Sequence, residues 1–202
     1  MAGENLRKRK NWEAETGKKA QDAEQNLIKV FEEYFKNTDY EIMNHPTQLK
    51  NLYANVQLSP DEIEQIYNPD INISEKKWGL TPDFAIKNKK NGKILFGEIK
   101  RQDGWVENKK PSAGRGNAHE RLCKLFTPGL LKTYRYISQI NEPNFLPFWV
   151  VFQGDITRDP KRVREITYWF DTYKGNYFFW RPKMTGKELI QFFETWIKSH
   201  LK

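Results

Sequence analysis

A β-hairpin signal in the middle of the chain is the strongest local constraint on its fold. Two apolar segments, 84–87 and 93–97, flank a polar stretch that contains the pair Asn91-Gly92. An Asn-Gly pair between two such segments favours a tight turn, because both residues tolerate a positive φ. The two segments are therefore predicted to pair as antiparallel strands.

This hairpin would bring two acids and an amine to one side of a sheet. If the Asn-Gly pair forms a two-residue loop, the ladder places Asp83 opposite Lys100 and Ala85 opposite Glu98. Directly opposed residues share a face, and so do Glu98 and Lys100, which are two residues apart on one strand. Asp83 would lie diagonal to Glu98 at roughly 7 Å between backbones, a gap that a bound cation can bridge. Two carboxylates and a lysine grouped in this way are suited to metal-assisted cleavage of a phosphodiester.

The pattern also has an ordinary interpretation. Glu-x-Lys occurs again at Glu75 and at Glu107, but in polar segments with no strand to hold the side chains. A pattern this short is weak evidence of chemistry on its own. The alternative for Asp83, Glu98 and Lys100 is an exposed ion pair on a sheet face.

Composition indicates a single domain with a polyanionic partner. The chain has 202 residues, of which 38% are hydrophobic, enough for one full core. Its net charge of +8 favours a polyanion, although a basic surface also keeps a protein in solution. The single cysteine, Cys123, excludes an internal disulfide and fits a reducing cytoplasm, and its position on an apolar helix face predicts burial. The longest apolar run, 145–152, is too short to span a membrane.

Periodicity along the chain predicts an α/β fold with a mixed β-sheet flanked by helices. Besides the hairpin, we expect helices at 21–36, 59–67, 117–126, 127–140 and from 185 onward, and strands at 145–152, 165–170 and 176–180, with 157–164 as a charged connection. Capping boxes at Ser59 and Thr185 mark two of the helix starts. We expect residues 1–20 to form a basic N-terminal arm, either mobile and touching phosphate or simply solvated, and residues 21–202 to form a single domain.

A second group of residues follows the hairpin at the start of a predicted helix. Gly114 and Gly116 allow close approach of the backbone to a ligand, and the helix N-terminus behind them favours an anion such as phosphate. An arginine, Arg115 or Arg121, can hold guanine, and Asn117 can hold adenine. The alternative is an ordinary helix start in which Asn117 only caps.

Together, Pro82-Asp83, Glu98-Ile99-Lys100 and the segment 116–121 form a recognisable combination. The chain resembles the EcoRI-like branch of the PD-(D/E)xK type II restriction endonucleases, and within it the MunI family, over nearly its whole length. EcoRI shares the segment Gly-Asn-Ala-x-Glu-Arg but has isoleucine at the place of His119, so the resemblance gives His119 no defined role.

The resemblance implies a restriction-endonuclease-like core and a homodimer that cuts double-stranded DNA with Mg²⁺ as cofactor. The implied site is a palindromic hexamer with an AATT core, CAATTG, cut after the first C to leave a 5′ AATT overhang and 5′-phosphate products. Asp83 and Glu98, with the backbone carbonyl of Ile99, would hold Mg²⁺. Lys100 would position the attacking water or help to deprotonate it.

The resemblance also implies how the site is read. Asn117, Glu120 and Arg121 would read the inner A·T pairs, and Arg115 is the candidate for the outer guanine. The predicted DNA-binding segment comprises Arg115, Gly116, Asn117, Ala118, His119, Glu120 and Arg121. An adenine-type DNA methyltransferase is expected in the same host without a stable contact to this protein, and no membrane partner is implied.

Two other functions are compatible with the residues taken alone. One is a structure-selective or repair nuclease that uses the same hairpin on junctions or damaged ends. The other is a DNA-binding regulator without chemistry, in which the carboxylates form only surface ion pairs.

Overall fold

Five strands form one mixed β-sheet in a computed structural model that describes residues 12–66, 78–101, 122–154 and 161–202. The strands, in their order across the sheet, are β1 (Tyr40–Asn44), β2 (Phe84–Asn88), β3 (Ile94–Arg101), β4 (Phe148–Gln153) and β5 (Tyr177–Trp180). β1 and β3 each pair antiparallel with β2, whereas β4 pairs parallel with β3 and β5 pairs parallel with β4. The predicted α/β class with a mixed sheet is confirmed.

Helices cover both faces of this sheet. The α-helices are α1 (Trp12–Phe35), α2 (Pro60–Glu64), α3 (Pro128–Ser138), α4 (Lys161–Phe170) and α5 (Gly186–Phe192). A π-helical turn (Phe193–Ile197) continues α5, and short 3-10 helices lie at Leu52–Asn55, Lys124–Phe126, Lys174–Asn176 and Lys198–Leu201. Both predicted capping boxes are formed, at Ser59 before α2 and at Thr185 before α5. In the part of the chain that the structure describes, no helix is both long and apolar enough to cross a membrane.

Two hydrophobic cores lie on opposite faces of the sheet. Leu27 and Phe31 of α1 pack with the C-terminal helices against Phe84, Leu95 and Trp149. On the other face, α3 and α4 cover a second set that includes Ala85, Phe96, Val150 and Phe152. Because β4 is buried on both faces, it reads as a continuous apolar run rather than an alternating one. The central strands are thus held rigidly, which matters for the side chains that they carry.

The hairpin forms, but its predicted register is wrong. Phe84 faces Gly97, whereas a two-residue loop would have placed it opposite Ile99. Extending the observed ladder by one residue puts Asp83 opposite Glu98 instead of Lys100. Since the shift is an even number of residues, every side chain keeps its predicted face.

Contacts with the C-terminus explain the longer loop. The amide of Asn88 donates to the carbonyl of Leu201 at 2.7 Å, while its oxygen accepts from the N–H of Lys90 at 2.9 Å. Asn91 donates to the same Leu201 carbonyl at 3.0 Å. Gly92 then closes the loop, with φ of 78° and its N–H on the carbonyl of Asn88 at 2.9 Å. Tertiary contacts therefore override the local preference for a two-residue turn.

Four features of the local structure differ from the predictions. The segment 165–170 is helical, as part of α4, which also includes residues 161–164 of the predicted connection. Strand β1 was not predicted. Cys123 is exposed rather than buried, because Leu122 and Leu125 take the inward positions where the helix tightens into a 3-10 turn. The backbone of α1 begins at Trp12, earlier than predicted, and residues 1–11 lie outside the described residues.

Candidate active site

The predicted group of two acids and a lysine assembles at the open end of the β2–β3 hairpin, away from its loop. Lys100 Nζ donates to Glu98 Oε2 and lies 3.8 Å from Asp83 Oδ2. The side chains are mostly shielded, with 27% of Asp83, 20% of Glu98 and 15% of Lys100 exposed. Partial burial strengthens the attraction between these charges compared with a solvated surface pair. We refer to these three residues as the Asp83 cluster.

Asp83 is held in place by the neighbouring strand. Its Oδ2 accepts a hydrogen bond from the backbone N–H of Ile99 at 2.6 Å. A bond from an amide to a charged oxygen is short and strong, so it fixes the carboxylate relative to β3. The Ile99 side chain points to the opposite face and packs against the α1 core, which anchors the donor in turn.

Tyr134 of α3 lies close beneath the carboxylates. It is buried and packs edge-on against Phe96, with ring centroids 5.2 Å apart. Burial, together with the nearby negative charges of Glu98 and Asp83, raises the pKa of the Tyr134 hydroxyl well above its usual value. The Tyr134 hydroxyl therefore stays neutral beside the two carboxylates.

A further carboxylate, Glu24 of α1, lies near the cluster and was missed by the sequence reasoning. Burial raises the pKa of Glu24, the charge of Asp83 raises it further, and His45 opposes this. His45 Nε2 lies 3.0 Å from Glu24 Oε1. The only sequence signal was an acid at helical spacing from Leu27, Ile28 and Phe31, on a face that is otherwise apolar.

The donor atoms of the Asp83 cluster suit a hard divalent cation. Its two carboxylates supply oxygen ligands, which Mg²⁺ prefers, and so small a set leaves positions for water and a substrate phosphate. Lys100 is positioned to balance charge beside them. Among the described residues, no three His, Cys, Asp or Glu side chains group as a complete protein-only metal site. The arrangement fits an ion that needs substrate to complete its shell.

The second predicted group cannot be compared with the structure. Arg115, Gly116, Asn117, Ala118, His119, Glu120 and Arg121 all lie outside the described residues. Their roles in reading DNA stay predictions.

The fold and the Asp83 cluster define a class: a mixed sheet with two acids and a lysine at one hairpin is the core of the restriction-endonuclease-like nucleases. The chain belongs to the MunI family of type II restriction enzymes, because the model of that family, described as "Type II restriction enzyme MunI", matches residues 1–202.

Individual relatives agree with this assignment. A curated protein of Mycoplasma sp, named Type II restriction enzyme MunI, is 60% identical to this chain over 201 residues. The alignment covers 100% of both chains. The crystal structure of MunI restriction endonuclease in complex with cognate DNA matches with a TM-score of 0.79 and 61% identity, covering 95% of this chain and 98% of that one. The protein is thus a type II restriction endonuclease, which confirms the predicted class and decides against a non-catalytic regulator and a structure-selective nuclease.

Proposed function

We propose that this endonuclease hydrolyses CAATTG in double-stranded DNA after the first C, with Mg²⁺ as cofactor and as a homodimer. The observation that carries the proposal is the Asp83 cluster, in which Lys100 lies within ion-pair distance of both Asp83 and Glu98. The DNA-bound state of the MunI structure supports double-stranded DNA as the substrate. A palindromic site matches a two-fold symmetric protein.

In this proposal, Asp83 and Glu98, together with the carbonyl of Ile99, hold the ion. Bound Mg²⁺ supplies a more acidic water and offsets charge on the scissile phosphate. Lys100, as an ammonium ion, orients the attacking water in line with the departing 3′ oxygen and favours release of the water's proton to solvent, from which the departing 3′ oxygen takes up a proton. Its ammonium group also stabilises the extra negative charge of the transition state. The new P–O bond leaves a 5′-phosphate as the P–O3′ bond breaks.

The proposed reading of the sequence rests on the segment 115–121. Asn117, Glu120 and Arg121 would contact the inner A·T pairs, while Arg115 would make a bidentate contact to the outer guanine. Gly116 would let the backbone of this segment approach the DNA closely, while Ala118 and His119 belong to the segment without an assigned contact. An adenine-specific methyltransferase in the same host would protect the host's own sites without a stable contact, and both enzymes would act in the cytoplasm.

Digestion of DNA of known sequence tests the whole proposal. The wild-type protein is expected to give discrete fragments with Mg²⁺, and end mapping should place every cut after the first C of CAATTG. Asp83→Ala and Glu98→Ala should leave the DNA intact while keeping the far-ultraviolet circular dichroism of the wild type. Cutting at another sequence would overturn the proposed site, and retained cutting by either variant would overturn the metal-binding role.

A further inference from the structure

Glu24 and His45 form a pair of side chains that has no role in the proposed cleavage reaction. Only 18% of the Glu24 side chain is exposed, and its Oε1 lies 3.0 Å from His45 Nε2. A carboxylate buried to this extent is costly unless it is paired, and the imidazole nitrogen of His45 lies within ion-pair distance of it. The pair joins α1 to the end of β1, two elements that are distant from the β2–β3 hairpin in sequence.

The backbone of His45 is unusual and contacts the active site directly. Its φ is 45°, in the left-handed region, which is unfavourable for a residue other than glycine. A non-glycine residue keeps such a conformation only where its surroundings determine it. In this conformation the His45 N–H donates to the backbone carbonyl of Asp83 at 3.2 Å, just beyond the pairing of Asn44 with Phe84.

These contacts form one continuous connection. The Glu24 carboxylate pairs with the imidazole of His45, and the N–H of the same histidine donates to the carbonyl of Asp83. The carboxylate of Asp83 in turn accepts from the Ile99 N–H at 2.6 Å. Asp83 precedes the first residue of β2, so its main chain has fewer ladder bonds than the residues that follow it. The His45 contact supplies the missing restraint on that side.

We propose that Glu24 and His45 are positioning residues for Asp83. By holding the left-handed turn after β1, the pair fixes the backbone of Asp83 so that its carboxylate reaches Ile99 and faces Glu98 and Lys100. The inference rests on the proposed function for the role of Asp83 as a Mg²⁺ ligand. Partners that orient a ligand from outside the metal shell typically change metal affinity or activity about 10- to 100-fold when removed.

Four variants separate this role from general stability. Glu24→Ala and His45→Ala each break the pair, while Glu24→Gln keeps an acceptor oxygen for the imidazole. The matched control is Glu41→Ala, which removes the ion pair between Glu41 of β1 and Lys87 of β2 at 3.5 Å, on the same two strands but away from Asp83. Three readouts are needed: the single-turnover rate against Mg²⁺ concentration, duplex affinity without Mg²⁺, and amide hydrogen exchange of Ile99 in the metal-free protein.

We expect Glu24→Ala and His45→Ala to lower the cleavage rate at least about 10-fold and to raise the Mg²⁺ concentration for half-maximal rate. The Ile99 amide should exchange faster, because the carboxylate that accepts from it is less well held, while the amide of buried Leu27 and the duplex affinity stay unchanged. Glu24→Gln should recover most of the rate. Glu41→Ala should match the wild type in all three readouts.

Two results would overturn the inference: an unchanged rate with the pair broken, or a reduced rate with unchanged Ile99 exchange. If an alanine variant fails to fold, His45→Asn replaces it, since asparagine accepts the left-handed conformation but is too short to reach Glu24. The proposed function fails in a different way, namely if wild-type protein cuts without Mg²⁺ or if Asp83→Ala still cuts. The two failures are therefore distinguishable.

Discussion

Gly97 leaves room for the ring of Phe84, its partner on the strand that follows Asp83. A Cβ atom on Gly97 would lie 2.1 Å from Cζ of Phe84, the residue that faces it on β2. The Phe84 ring is fully buried and packs edge-on against Trp149, with centroids 5.8 Å apart, so it has no free space to move into. Phe84 directly follows Asp83, and Gly97 directly precedes Glu98. Packing on one face of the sheet therefore sets the spacing of the acids on the other.

Gly97→Ala should both destabilise the protein and impair cleavage. Forcing a methyl group against the buried ring is expected to cost about 1–3 kcal/mol of unfolding free energy. Displacement of β2 would also move Asp83 away from Glu98. Urea unfolding and digestion with Mg²⁺ measure the two effects. Gly129→Ala in α3 is the control, because nothing lies within 4 Å of the added Cβ there, and equal stability of the two variants would contradict this account.

Lys100→Met tests the ammonium group of the cluster. The variant keeps a side chain of similar length but leaves Asp83 and Glu98 without the cation that both now share. We expect the single-turnover rate to fall about 100- to 1,000-fold, the typical loss for one group that stabilises transition-state charge. Lys87→Met, which removes only a strand-to-strand ion pair, should keep the wild-type rate. A Lys100→Met enzyme that cuts normally would remove lysine from the mechanism.

At the scale of residues, the sequence predicts which side chains lie together when this depends only on the face of the sheet that they occupy. Asp83, Glu98 and Lys100 were placed together despite a wrong register, because side chains alternate along a strand and an even shift leaves them on the same face. Glu24 and His45 could not be found in this way. Their pairing depends on how α1 crosses the end of β1, which no spacing in the sequence encodes.

At the scale of elements, the hairpin loop is shaped by the C-terminus. The Asn88 amide is buried and donates to the Leu201 carbonyl, which ties the loop after β2 to the final 3-10 helix. Lys93 of the same loop region donates from Nζ to the carbonyl of His200 at 3.1 Å. These bonds use carbonyls that the end of a helix would otherwise leave without partners. The last residues of the chain are therefore part of the hairpin's structure.

Asn88→Ala should destabilise the protein without removing its activity. Loss of the buried bond at 2.7 Å, and of the bond that Asn88 accepts from Lys90, is expected to cost about 1–3 kcal/mol. Equilibrium urea unfolding measures the change, and the folded variant should still cut DNA. Asn91→Ala, whose bond to the same carbonyl is only partly buried, should cost less. An Asn88→Ala variant that is no less stable than Asn91→Ala would show that the anchor is unimportant.

Helix α4 illustrates why aromatic-rich segments mislead. Residues 165–170 are rich in aromatic and β-branched types, which favour strands locally. Ile166 and Phe170 are nevertheless the two fully buried positions, and a spacing of four places them on one side of a helix, while Tyr168 is 84% exposed. Burial against β4 and β5 decided the structure, and this information comes from tertiary contacts.

At the scale of the whole molecule, the sheet has an antiparallel part and a parallel part that share strand β3. Asp83 precedes β2 in the antiparallel part, whereas Glu98 and Lys100 lie on β3, which also pairs in parallel with the buried strand β4. The overall fold class was predictable because hydrophobic periodicity identified most elements. A complete Asp83 cluster lies within one chain, with all three side chains supplied by a single hairpin. No residue of a second protomer is needed to build it.

This self-contained site leads to a prediction about the proposed homodimer. A mixed dimer of wild-type and Asp83→Ala protomers, purified through two different affinity tags, should cut only the strand that faces the wild-type site. A supercoiled plasmid with one CAATTG site should therefore accumulate as a nicked circle, while doubly tagged wild-type dimers give linear DNA and Asp83→Ala dimers leave the plasmid intact. Linear product at the wild-type rate would mean that one site serves both strands. An uncut plasmid would mean that the two sites act only together. Such coupling is not expected, because each cluster is built entirely within one chain.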